Sequence, residues 1–149
     1  MGLTSLQLIP TLFCLLACSG NVVRRRQCNI TLPEIITTLN FLEKDKSPYT
    51  KLTIADVFDV PKNTSEMETL CRAATALRQF YSHHEKETCR NATVLQHGFL
   101  IKYLKGLDRN LYSMTDMKDC AVNEAKKRTL RNFLERLKMN MQKKISEWC

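Results

Sequence analysis

The chain has 149 residues, 44% of them hydrophobic and 26% charged, with 23 Lys and Arg against 15 Asp and Glu for a formal net charge of +8. Length and balance suit one globular domain with one core, and no internal repeat or low-complexity tract interrupts it. The charge speaks to partners more than to fold, favouring acidic protein faces; the lack of aromatic residues interleaved with the basic ones argues against nucleic acid.

Leu6 to Ala17 is a mostly apolar run of signal-peptide length, shorter than the roughly 20 apolar residues that span a bilayer. Residues 1–25 are read as a cleaved leader, with Ala17 and Ser19 offering an earlier cut after Ser19. No second long apolar run follows, so residues 26–149 are expected to form a single secreted domain. Cys14 and Cys18 leave with the leader, and five cysteines remain: Cys28, Cys71, Cys89, Cys120 and Cys149. An odd number in an oxidising compartment leaves at least one thiol without an intramolecular partner, and spacing alone does not fix the pairing. Asn29, Asn63 and Asn91 open N-x-Ser/Thr sequons and are the expected N-glycosylation sites.

The first helix is predicted to begin near Thr31, where Thr31 and Glu34 have capping-box spacing and Pro33 falls in the tolerant first turn. Its apolar stripe is Leu32, Ile35, Ile36, Leu39 and Leu42, and Ser47 with Pro48 ends it. A connection of about 15 to 20 residues containing LTIADVF exceeds the usual helix-to-helix loop and is expected to cross the bundle. Ser65 and Glu68 form a second capping box, after which Leu70, Ala74, Leu77 and Tyr81 recur as one stripe, with Arg72, Arg78, Gln79 and His83 away from it. After His84 the polar EKETCRNAT is predicted to be a short turn into a third helix with the stripe Leu100, Leu104, Leu107 and Leu111. Gly98 and Gly106 each cost that helix about 1 kcal/mol relative to Ala.

Ser113 to Val122 is the second connection, and its CAV segment is expected to pair with part of LTIADVF as a small ribbon. The last helix carries Leu130, Phe133, Leu134, Leu137, Met141 and Ile145 on one face. Long, short, long connections imply an all-α, up-up-down-down four-helix bundle with two long crossover loops and a two-stranded ribbon between them.

An exported basic protein of this size can be a ribonuclease or a phospholipase, but each needs a constellation that is missing. The histidines are His83, His84 and His97, none in an HExxH or Cys-x-x-Cys setting, and His83 and His84 point about 100° apart on a helix. They are read as solvated helix-end side chains. Neither a Gly-rich phosphate loop nor a GxSxG nucleophile motif is present. No catalytic residue, metal or cofactor is therefore expected. The basic clusters Arg24 to Arg26, Lys126 to Arg128, and Lys143 with Lys144 are read mostly as solvated surface, with steering toward an acidic face as the functional alternative and weak heparan sulfate capture as a second.

Several strings carry more than periodicity requires. CRAATALRQFYSHHEK from Cys71 to Lys86, ITLPEIITTLN from Ile30 to Asn40, LKGLDRNL from Leu104 to Leu111 and NFLERLK from Asn132 to Lys138 fall in order across most of the exported chain. Together they resemble the interleukin-4 family of short-chain four-helix cytokines. The resemblance implies bridges Cys28 to Cys149 and Cys71 to Cys120, each contributing roughly 4 to 5 kcal/mol in the chain-entropy model. The family's third bridge lacks a partner, since Tyr49 stands where its cysteine belongs, and Cys89 is expected to be unpaired or capped. The family pattern also places the leader cut near Arg24 to Arg26.

The implied function is that of a secreted, monomeric, non-enzymatic cytokine joining two receptor chains. Through helices one and three it would bind the interleukin-4 receptor alpha chain, with Glu34 and Arg109 matching the dominant charged anchors and Lys105, Asn110 and Tyr112 the surrounding contacts. The ordinary alternatives are capping for Glu34 and a solvated charge for Arg109. Gly106 stands where the family can carry a basic contact. Through helices one and four it would recruit the common cytokine receptor gamma chain or the interleukin-13 receptor alpha-1 chain, using Ile36, Asn40, Gln142 and Ile145. Ile145 replaces an aromatic residue and Gln142 a basic one, and Ile36 is equally readable as core. JAK/STAT signalling, B-cell activation, immunoglobulin class switching and type 2 helper T-cell responses would follow. A variant that binds the first chain without recruiting the second is the nearest competitor. A secreted heparin-binding host-defence protein fits charge and export but not the four ordered matches.

Overall fold

The computed structural model describes residues 24–88 and 94–149. Residues 1–23 of the expected leader, Cys89 and Asn91 lie outside the described residues, as does the side chain of His97. Pro33 shapes the entry to the first helix, α1 (Leu32–Glu43), which follows a π-helical turn at Gln27–Thr31 in which the Leu32 N–H donates to the Gln27 carbonyl. A proline has no N–H to give and its ring crowds the carbonyl four residues back, and a widened turn accommodates both. The expected capping box at Thr31 and Glu34 does not form. Thr31 has helical φ and ψ and caps nothing, because the chain is already helical over residues 24–31 and the preceding turns accept the first amides. Glu34 is thereby released from the backbone.

α1 stops at Glu43, four residues before the predicted end. Asp45 Oδ1 accepts the Ser47 N–H at 2.7 Å, and Ser47 is extended ahead of Pro48, as a residue before proline prefers. A 3-10 turn, Pro48–Lys51, leads into strand β1 (Thr53–Ala55). This strand does lie in LTIADVF, but its antiparallel partner is β2 (Lys127–Thr129), with Ile54 opposite Arg128, and not CAV. Cys120 of CAV is committed elsewhere, bridged to Cys71 with its sulfur 3.2 Å from the Thr75 hydroxyl. β2 instead runs straight into the last helix, since Thr129 is both its final residue and the helix N-cap, accepting the Asn132 N–H. The ribbon is clamped by Arg128 on Asp56 at 2.7 Å, both side chains largely buried. Burial pushes the Asp56 carboxyl up, but the hydrogen bonds from Arg128 and the Phe58 amide outweigh it and hold the group below its ordinary value. With the folded value lowered, this clamp contributes fully above the ordinary carboxylate range and loosens as pH falls through the folded value.

Helix α2 (Glu66–Thr88) starts where predicted, with the Ser65 hydroxyl accepting the Glu68 N–H at 3.1 Å. The Glu68 carboxylate turns outward to Arg72 at 2.6 Å rather than back to the cap. The helix continues past His84, where a turn was expected, and His84 is only 9% exposed. Its ring packs 4.4 Å from Phe80 and 6.4 Å from Tyr49, so the crossover folds over this end of α2 and removes His84 from solvent. Helix α3 (Val94–Ser113) and helix α4 (Leu130–Trp148) complete the set. Their predicted stripes are buried, Leu100, Leu104, Leu107 and Leu111 on one and Leu130, Phe133, Leu134, Leu137 and Met141 on the other, and Ile145 packs at the margin.

Cross-links fix the helix directions. Cys28 at the start of α1 bonds to Cys149 past the end of α4, so these two run oppositely. Thr115, just beyond α3, donates to the Met67 carbonyl at the start of α2, so α2 and α3 are antiparallel. Lys144 late in α4 meets Glu66 at the start of α2 at 2.8 Å, making α4 antiparallel to α2 as well. Helices one and two therefore go up and three and four come down, as the connection lengths predict. Among the described residues no helix is long and apolar enough to cross a membrane.

Candidate functional site

On α1 the buried positions Leu32, Ile35, Leu39 and Leu42 define the core side, which leaves Glu34 and Phe41 on one flank and Ile36, Asn40 and Glu43 on the other. Phe41 stacks on Tyr103 of α3, ring centroids 4.4 Å apart. That contact sets the register between two antiparallel helices. Glu34 lies seven residues back from Phe41 and Asn110 seven on from Tyr103, about 10 Å in each case at 1.5 Å per residue, so Glu34 comes level with Arg109 and Asn110. Glu34 and Arg109 are both exposed, and among the described residues neither side chain has a hydrogen bond or ion pair.

Arg109 points outward because its neighbour is tied inward. Asp108, 2% exposed, accepts Arg78 Nε at 3.1 Å, Arg78 Nη2 at 3.2 Å and the Tyr81 hydroxyl at 2.8 Å, all from α2. The Asp108 hydrogen bond raises Arg78 above its ordinary pKa, and burial followed by the Asp108 bond raises Tyr81. At neutral pH Arg78 is thus a cation and Tyr81 a neutral phenol. With Asp108 pinned to α2, the next side chain along α3, about 100° round, faces solvent.

The remaining residues of this set divide between two flanks of α3. Asn110 shares the Tyr103 side, toward α1. Lys105 and Tyr112 lie toward α2: Lys105 Nζ is 2.7 Å from Glu85 Oε1, and the Arg78 guanidinium stands 5.4 Å over the Tyr112 ring. The Lys105 pair is nearly half exposed, a contact typically worth up to about 1 kcal/mol, which an incoming carboxylate can replace. Gly106 is helical, and a Cβ built there would meet nothing within 4 Å.

The second set sits on the other flank of α1. Glu43 pairs with Lys138 of α4 at 2.9 Å. Counting seven residues from each partner in the antiparallel sense, Ile36 comes about level with Ile145, and Asn40 near Gln142. Asn40 and Gln142 are exposed; Ile36 and Ile145 are half-buried against the core, so Ile36 serves packing and surface together. Lys144, counted with the solvated basic clusters, is 5% exposed: it is held by Glu66 at 2.8 Å and lies 4.6 Å from the Trp148 ring. Asn29 and Asn63 are exposed, as a glycan acceptor must be. Among the described residues no group of three His, Cys, Asp or Glu is placed to hold a metal.

Sequence reasoning passed over Asp108 and Phe41. Asp108 gives a signal, since it follows Leu104 by four and precedes Leu111 by three, the spacing of the buried stripe. Phe41 gives another, as the aromatic on the polar flank of an otherwise regular amphipathic helix.

Residues 27–146 match the family model "Interleukin 4". The chain is 53% identical to the interleukin-4 of Lama glama over 147 residues, covering 99% of each chain, and 53% identical to that of Sus scrofa over 147 residues with the same coverage. It is 51% identical to the interleukin-4 of Oryctolagus cuniculus over 149 residues, covering 99% of this chain and 98% of the relative.

Proposed function

The chain belongs to the interleukin-4 family of cytokines, and from that premise we propose that residues 1–25 are a leader and that the secreted domain binds the interleukin-4 receptor alpha chain through α1 and α3. The observation that carries this reading is the pair of uncommitted, opposite charges, Glu34 and Arg109, level with each other on an exposed two-helix face. A charge-assisted hydrogen bond desolvated at an interface centre costs about 2 kcal/mol or more when one partner is truncated. Lys105, Asn110 and Tyr112 surround that centre.

The flank between α1 and α4, with Ile36, Asn40, Gln142 and Ile145, recruits the common cytokine receptor gamma chain or the interleukin-13 receptor alpha-1 chain. Proximity of the two receptors then triggers JAK/STAT signalling, with B-cell activation, class switching and type 2 helper responses downstream. The domain acts as a monomer, carries glycans at its sequons and keeps Cys89 out of intramolecular bridges, and its net charge of +8 supports weak heparan sulfate capture.

The test is binding of the purified secreted domain to an immobilised, species-matched interleukin-4 receptor alpha ectodomain, beside Glu34→Gln and Arg109→Ala, with folding checked by circular dichroism. Tight wild-type binding that falls by roughly 30-fold or more in each folded variant is expected. A folded wild type that does not bind overturns the reading.

A further inference from the structure

Phe41 is 53% exposed and Phe99 64%, two of the four large hydrophobic side chains most open to solvent among the described residues. Single exposed hydrophobics are ordinary, but these are not scattered. Phe41 lies on Tyr103, and Phe99 precedes Tyr103 by one helical turn on the same stripe of α3. The three rings form a strip that begins about 10 Å from the level of Glu34 and Arg109 and runs on toward the start of α3. Between Arg109 and Tyr103 stands Gly106, with open space where a side chain would project. The face therefore has a charged centre, a notch beside it and an aromatic floor beyond.

Two occupants suit an apolar floor: a second copy of this chain or the receptor already bound at the charged centre. A twofold contact sets the same patch against itself, bringing Lys102, Lys105 and Arg109 of one copy against those of the other in a chain of net charge +8. An acidic partner engaged by Arg109 meets no such repulsion and is continuous with the strip. We propose that the first receptor chain makes a second, apolar contact here, seating a large hydrophobic side chain in the notch at Gly106 against Tyr103, with Phe41 and Phe99 closing over it. This rests on the alpha-chain reading above and adds to it the chemistry of the neighbouring subsite. It also places recognition partly on hydrophobic burial, which salt does not screen.

The experiment measures association and dissociation rates on the alpha-chain ectodomain at two salt concentrations for wild type, Phe99→Gln, Phe41→Ser, Gly106→Leu and Glu34→Gln. Phe99→Gln and Gly106→Leu are expected to bind roughly five- to twentyfold more weakly, chiefly through faster dissociation, with the wild-type salt dependence kept. Gly106→Leu replaces a poor helix former by a good one, so its loss is not a folding defect, and it decides the matter even where Phe41→Ser disturbs the α1 and α3 contact. Wild-type binding abolished by Glu34→Gln but unchanged within about twofold by Phe99→Gln and Gly106→Leu overturns the apolar subsite and leaves the charged site standing. A wild type that does not bind overturns both. Loss of self-association in Phe99→Gln by sedimentation, with receptor binding intact, assigns the strip to a second copy and overturns the proposal.

Discussion

The two flanks of α1 use the same helix in opposite ways. Toward α3, Glu34 and Arg109 carry no partner among the described residues, and the rigid element, the Asp108 network, lies behind the surface, where it aims Arg109 without consuming it. Toward α4 the charge on α1 is spent within the molecule, Glu43 on Lys138, and the Cys28 to Cys149 bridge fastens the far end. Around Ile36 and Asn40 what faces outward is half-buried aliphatic and uncharged polar, while the exposed Arg131 and Glu135 lie farther along, beside Leu42 and Glu43. A face with uncommitted charge can supply a strong, orienting contact, and a face of Ile36, Asn40, Gln142 and Ile145 supplies area. The contrast teaches that two flanks of one helix need not be equals, and under the proposed function it is the flank with free charge that sets affinity.

The largest effect that separates the flanks is removal of the terminal bridge. Cys28→Ser with Cys149→Ser should cost about 2 to 5 kcal/mol, read from urea unfolding, because the closed loop spans 121 residues. The bridge fastens the α4 flank, so recruitment of the second receptor chain should suffer and alpha-chain binding by the folded fraction should persist. Equal loss on both would break the distinction between flanks. A smaller change should do the reverse. Asp108→Ala removes the shared acceptor of Arg78 and Tyr81 and should cost about 1 to 3 kcal/mol. Arg78 is half exposed and can resolvate, which keeps the figure at the modest end. Freed from α2, α3 no longer holds Arg109 outward, and alpha-chain affinity should fall by more than the second contact does. Unchanged alpha-chain affinity in a folded Asp108→Ala would show that Arg109 needs no such support.

The buried half of this arrangement is legible in the residues and the outward half is not. Leucines four and three apart can only make one stripe, so the cores of α3 and α4, the number of helices and their directions follow from period and connection length. Thr31 with Glu34 reads the same whether a helix starts there or passes through, and nothing local distinguishes the two until Pro33 is weighed as a cause of a π turn. The ribbon is half visible: β1 has Ile54 and Ala55 to bury, while β2 is Lys127, Arg128 and Thr129, exposed except for the Arg128 side chain, whose partner Asp56 lies 72 residues away. Asp108 is marked by its place in the leucine spacing, but its partner Arg78 is 30 residues back. Glu34 and Arg109 came from family resemblance alone, since an exposed Glu and an exposed Arg have no periodicity to betray them.

The smallest effect concerns the one position where the α3 flank gives up stability. Gly106 has no positive φ, as no described glycine does, and a methyl group there would touch nothing. Neither backbone conformation nor close packing therefore requires glycine, and Gly106→Ala should raise stability by about 0.5 to 1 kcal/mol by restricting the unfolded chain. A urea midpoint that rises with an unchanged slope would confirm it. A single methyl leaves most of the notch open, so alpha-chain affinity should stay within about twofold, whereas Gly106→Leu should lower it roughly five- to twentyfold. Stability gained at little cost in binding would locate the function of this position in the volume above the helix and not in the flexibility of its backbone. A destabilised Gly106→Ala would mean that α3 packs more closely at this point than its open surface indicates, and the difference between the two flanks of α1 would narrow accordingly.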